Sequence, residues 1–209
     1  MKNGDLLFDG PSGARRTIVL AHGAGAGMHS AYMATVAKGL ADEGIRVVRF
    51  EFPYMRARRT SGKRGAPDRG PVLIESWREV ISRLGGGDRL VVGGKSMGGR
   101  IASMIADEAG VRGLVCLGYP FHPPGKPAGS RVKHLEALRT PALIVQGTRD
   151  TFGRPEEVEQ YKLSKKIKIE WIEGGDHSLK ANARSGRTEA ENLAAAVAAV
   201  AEFVKVVMD

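Results

Sequence analysis

A chain of 209 residues, 42% apolar and 26% charged, has enough hydrophobic side chains for one packed domain spanning 1–209. It lacks the roughly 20-residue apolar run needed to span a bilayer, and its opening "MKNGDLLFDGPSGARR" has no apolar signal-peptide region. The lone Cys116 excludes an internal disulfide, so a cytoplasmic protein is expected, and the net charge of +9 permits nucleic-acid or anionic partners without establishing either.

In chain order, "RTIVLAHGAGAG" (16–27) reads as a buried strand ending in a glycine-rich turn. Residues 29–44 read as a helix with apolar positions at Val36, Ala37 and Leu40, closed by Gly44. "IRVVRFEFPY" (45–54) is a β-branched and aromatic strand. "MRARRTSGKRGAPDRG" is polar and rich in breakers, and predicts a loop. A helix over 71–86 opens on Pro71. "DRLVVGG" is a strand, "SMGGRIASMIADEAG" a helix and "VRGLVCLGYP" a strand, in which Cys116 reads as a small buried hydrophobe. After "FHPPGKPAGS" come a short helix at "HLEALR", the strand "TPALIVQGTRD", a helix over "RPEEVEQYKLSKK", the strand "IKIEWIEGGDH" and a long alanine-rich helix. Strands alternate with helices, and their apolar runs are continuous. This predicts an α/β fold: a three-layer, doubly wound, mostly parallel sheet of about six or seven strands.

Between a strand and a helix lies Gly94-Lys95-Ser96-Met97-Gly98. This is G-x-S-x-G in the context a nucleophile elbow requires: a turn so tight that its flanks take only glycine, with the serine above the carboxyl edge of the sheet. A glycine-rich turn that merely packs, or that binds phosphate, would share the bare pattern. The P-loop pattern is not met, because the residue five before Gly94 is Arg89. An acid and then a histidine should follow in chain order, each after a strand. Asp150 and His177 do. Ser96 would be the nucleophile, His177 its base, and Asp150 the group that orients the imidazole. Asp176 is the competing acid, but adjacency makes the far nitrogen of His177 hard for it to reach. The backbone N–H groups of Met97 and Ala24 are the expected oxyanion donors. His22 is expected to brace the turn.

The stretches "VLAHGAGAG", "GGKSMGGR", "PALIVQGTRD" and "GGDHSL" resemble the α/β-hydrolase fold family across residues 18–179. The chain looks like a small, mostly bacterial subfamily. It is similar to dienelactone-hydrolase-like enzymes and to the hydrolase-like region of certain chromatin-complex subunits. The resemblance implies a Ser96, Asp150, His177 triad with Ala24 and Met97 as oxyanion donors. Two departures stand out. Only "DLLFDG" remains to supply the first strands of the full fold, and the usual lid insertion, between Tyr119 and Pro141, is only about 20 residues. The site should be open, or covered only by "FHPPGKPAGS" and the arginine-rich segment.

The expected activity is hydrolysis of a carboxylic ester or thioester through an acyl-enzyme, without cofactor or metal. The expected partner is a small-molecule ester-type substrate, with no membrane and with nucleic acid disfavoured. The rival is a catalytically weak, hydrolase-like module that docks acidic partners or nucleic acid through its basic surface. Arg56 and Arg59, in the basic segment 56–69, are candidate contacts for an anionic substrate, although a solvated loop is the simpler reading of that segment. Tyr119, Phe121 and His122 are candidate pocket residues or ordinary packing. Lys95 either faces the site or lies beneath it.

Overall fold

The apolar runs become strands whose alternate residues face two different cores. In β2 (Thr17–Ala21), Val19 and Ala21 point to one side of the sheet and Ile18 and Leu20 to the other. The structure, a computed structural model, describes residues 6–62, 65–123 and 131–209. Besides β2, the sheet contains β1 (Leu6–Asp9), β3 (Arg46–Phe50), β4 (Leu90–Lys95), β5 (Gly113–Leu117), β6 (Ala142–Gly147) and β7 (Ile167–Ile172). Their order is β1-β3-β2-β4-β5-β6-β7, and only β1 runs antiparallel to its neighbour. The central strands β2, β4, β5 and β6 are almost wholly buried, as continuous apolar runs demand. The edge strand β7 is mostly half-buried instead, because it has a neighbouring strand on one side only.

Helices cover both faces. α1 (Ala31–Asp42) and α6 (Glu189–Met208) pack Met33, Val36, Leu40, Leu193, Ala196 and Val200 on one. α3 (Gly70–Arg83) and α4 (Met97–Ile105) pack Trp77, Val80, Ile101 and Ala102 on the other. α6 starts where Thr188 and Glu191 cap each other's backbone N–H groups, at 3.2 and 2.7 Å.

Two expectations need correction. The basic segment opens as a helix, α2 (Pro53–Ser61), not as a loop. Pro53 presets its first turn, and Gly62 ends it in the left-handed region at φ 70°. The arginines and alanine between them are good helix formers, and no breaker falls there. Conversely, the helix over 154–166 shrinks to α5 (Pro155–Val158). The chain is drawn back to the core when Ser164 N–H bonds to the Leu135 carbonyl. "HLEALR" supplies only the 3-10 turn Lys133–Leu135.

Candidate active site

The turn at Ser96 is as tight as its glycines suggest. A Cβ on Gly94 would lie 2.1 Å from the Ala21 carbonyl oxygen, and one on Gly98 would lie 2.5 Å from the same atom. Ser96 itself is held at φ 49°, ψ −115°, a conformation L-residues rarely adopt. Its backbone N–H bonds to the Leu117 carbonyl at 2.9 Å, which ties the elbow to β5. α4 begins at the next residue, so its unpaired N–H groups and positive dipole end lie beside the serine hydroxyl.

Three side chains from three loops meet at this edge. Asp150 Oδ2 accepts from His177 Nδ1–H at 2.8 Å, and Ser96 Oγ–H donates to His177 Nε2 at 2.8 Å. Because the carboxylate fixes the proton on Nδ1, Nε2 is left as the acceptor. Asp150 is fully buried, and its other oxygen accepts from Phe152 N–H at 2.9 Å. Asp176 faces elsewhere: its Oδ1 accepts from the N–H groups of Ser178 and Lys180, at 2.7 and 3.0 Å.

The sequence reading missed two residues here. Gln146 is wholly buried and donates to Asp150 Oδ2 at 2.8 Å, while its oxygen accepts from Tyr119 N–H at 2.7 Å. A lone amide at the end of the apolar strand "ALIVQG" was the available signal. Phe152 lies 4.4 Å, centroid to centroid, from the His177 ring. Nothing in its local pattern marked it.

His22 braces the opposite wall. Phe52 N–H donates to its Nε2 at 3.1 Å, so its proton sits on Nδ1 and is donated to the Gly23 carbonyl at 2.7 Å. Burial holds its pKa below the ordinary histidine value. The Tyr54 hydroxyl donates to the next carbonyl, Ala24, at 3.0 Å. In a trans peptide the N–H opposes the C=O. With the Gly23 carbonyl turned back to His22, the Ala24 N–H is directed the other way.

Lys95 lies beneath the histidine and is 9% exposed. Its ammonium donates to the His177 carbonyl and sits 5.5 Å from the centre of the Tyr32 ring. Burial lowers its pKa to about 8.

Ser96 stands between two cavities. The first, 390 Å³, is lined by Ala24, Ala26, Tyr32, Met33, Lys95 and Phe152 among others. The second, 430 Å³, is bounded by Leu73, Met97, Ile101, Phe152 and the charged side chains Asp68, Arg100 and Arg131.

The other candidates lie outside both cavities. Tyr119 and Phe121 are fully buried core residues: the Tyr119 hydroxyl donates to the Arg131 carbonyl at 2.7 Å, and Phe121 stacks on Tyr161. His122 pairs its Nε2 with Glu157 at 3.3 Å. Arg59 is bound to the buried Glu51 at 2.8 Å, and Arg58 donates to the Gly25 carbonyl. Arg56 lies on α2 with them. Lys63 and Arg64 of the basic segment, and residues 124–130 of the expected cover "FHPPGKPAGS", lie outside the described residues.

A family model described as "Alpha/beta hydrolase domain" matches residues 14–205. The chain belongs to this family. Among solved structures it is similar to a lidless α/β serine hydrolase from Xanthomonas campestris, with 21% identity over 95% of this chain and 88% of that one, at a TM-score of 0.69. It is also similar to an α/β serine hydrolase homologue from Coxiella burnetii, with 20% identity over 98% and 92% of the two chains at 0.67. A monoacylglycerol lipase from Paleococcus ferrophilus matches at 16% identity over 97% and 98%, with a TM-score of 0.71. These likenesses establish the α/β-hydrolase fold. Among the described residues, no helix is long and apolar enough to cross a membrane, and no group of three or more His, Cys, Asp or Glu side chains is placed to hold a metal.

Proposed function

We propose that this chain is a serine hydrolase that cleaves carboxylic esters through an acyl-enzyme on Ser96. The observation that carries this reading is the continuous hydrogen-bonded chain from Ser96 through His177 to buried Asp150, open to a cavity on either side. Several structural neighbours are themselves described as esterases or lipases.

In acylation, Ser96 Oγ attacks the ester carbonyl carbon while its proton passes to His177 Nε2. The carbonyl electron pair moves onto oxygen, where the Met97 and Ala24 N–H groups receive it. The imidazolium is stabilised by Asp150, with Gln146 holding that carboxylate in place. The tetrahedral species collapses, and the C–O bond to the alcohol breaks. The departing oxygen takes the proton from His177. A water then gives a proton to His177 and its oxygen to the acyl carbon. The Ser96 ester bond breaks, the acid leaves, and Ser96 regains its proton.

Intact-mass analysis after incubation with a fluorophosphonate tests the reading. One adduct is expected on the wild type and none on Ser96→Ala. Labelling should be severely slowed in His177→Ala, and ester turnover should fall by about 10⁴-fold in Asp150→Asn. Folded wild-type protein that forms no adduct would overturn the proposal in favour of a binding module.

A further inference from the structure

The second cavity has a property the reaction itself does not require. Arg100, on α4, and Arg131 both line it together with Ser96. Among the described residues, neither guanidinium lies within ion-pair distance of a carboxylate. The Arg100 Nε is buried and has no hydrogen-bond partner. The polar contact of the Arg131 guanidinium is one hydrogen bond to the His122 carbonyl, at 3.2 Å. The single acid in the wall, Asp68, has Oδ2 occupied by the Tyr54 N–H at 2.8 Å. Two cations therefore face one carboxylate across a partly dehydrated space.

The surroundings register the excess. The Arg131 pKa is held below its ordinary value by burial and by the charge of Arg100. His134 is lowered by the same two causes. Two like charges that share a half-enclosed pocket with a single carboxylate are costly for the free protein. An anion entering the pocket removes that cost, and guanidinium donors match a carboxylate well.

We propose that Arg100 and Arg131 select esters that carry a second, ionised carboxylate, bound in the cavity beside Ser96. This rests on the hydrolase reading for its chemistry and assigns that site a substrate class. The opposite cavity, walled by Tyr32, Met33 and Ala26, takes the uncharged part of the same molecule. The carboxylate belongs to either the acyl or the alcohol half, and the probes below distinguish the two.

Wild-type protein is assayed with p-nitrophenyl butyrate, with mono-p-nitrophenyl glutarate, and with a butyrate ester of 3-hydroxybenzoate. The first is neutral, the second carries its charge in the acyl group, and the third carries it in the leaving group. One anionic ester should exceed the neutral one in kcat/KM by about tenfold or more. That ratio should fall about tenfold in Arg100→Gln and in Arg131→Gln. Isothermal titration of Ser96→Ala with monomethyl glutarate and with 3-hydroxybenzoate reads the site without turnover. Binding of one of them, weakened by either arginine substitution in a protein that still melts cooperatively, supports the proposal. If the neutral ester is cleaved but both anionic esters are disfavoured and both ligands fail to bind Ser96→Ala, the proposal falls and the hydrolase reading stands. If no ester is cleaved but a ligand binds through the arginines, the hydrolase reading falls and the anion site remains.

Discussion

Two groups of arginine, one on α2 and one beside Ser96, behave differently. Arg56, Arg58 and Arg59 are neighbours in sequence and make the most basic stretch of the chain. In the fold, Arg59 is bound to buried Glu51 and Arg58 to the Gly25 carbonyl, so both hold α2 against the rest of the molecule. Arg100 and Arg131 stand 31 positions apart and attract no notice in the sequence, yet they share a cavity with Ser96 and lack carboxylate partners among the described residues. Local charge density counts cations. The available field depends on where the counter-charges went.

Lys95 sharpens the contrast, because it is a third cation near the serine, engaged by the histidine loop. Its ammonium holds the His177 carbonyl from below. Lys95→Met should lower kcat by about tenfold with a smaller change in KM, since it removes a support of the base while leaving an apolar side chain in the wall of the first cavity. The same substitution has a signature in stability. Burial depresses the Lys95 pKa from 10.5 to about 8. Between those values the unfolded chain holds a proton that the folded chain has released, so wild-type stability rises with pH through that window. Urea denaturation at pH 7.5 and 10 should show that rise diminished in Lys95→Met. An unchanged slope would mean that Lys95 is not buried in the charged form near neutrality.

How much of this was legible beforehand follows the range of the interactions involved. The sheet, its elbow and the loops bearing Asp150 and His177 could be read because apolar runs and glycine spacing are local. The Gly94 and Gly98 positions follow from sterics within one turn. Gln146 left only a lone amide at the end of an apolar strand as its signal, and Phe152 and the Arg100–Arg131 pair acquire meaning only through partners brought in by the fold. Tyr119 and Phe121 resemble pocket residues in the sequence because they follow a strand at the active edge. The chain turns them inward, against Arg131 and Tyr161. The basic segment reads as a loop when taken whole, because it is polar and rich in glycine, whereas its breakers begin only at Gly62.

The α2 arginines supply the next test. Arg59 is half exposed but its partner Glu51 is only 4% exposed. Arg59→Met should therefore leave a carboxylate without its counter-ion and cost about 1–2 kcal/mol, less than a fully buried pair because water reaches the arginine side. Tm should fall by several degrees, and adding Glu51→Gln should recover most of the loss. The anionic-to-neutral ester ratio should be unaffected. A change in that ratio comparable to that in Arg100→Gln would erase the distinction between the two groups.

The smallest effect has the opposite sign. An arginine that holds a fold together destabilises it when removed, as Arg59 should. Arg100 has a buried Nε without a partner and faces a second guanidinium across the cavity. Arg100→Met keeps an unbranched side chain on α4 and a good helix former at that position. It deletes an unsatisfied donor and relieves the repulsion on Arg131. Thermal unfolding should show a gain of about 1 kcal/mol, together with loss of anionic-ester preference, the trade expected where a site is kept under electrostatic strain for binding. A loss of stability instead would show that Arg100 is structural, like the arginines of α2, and that its place beside Ser96 follows from packing.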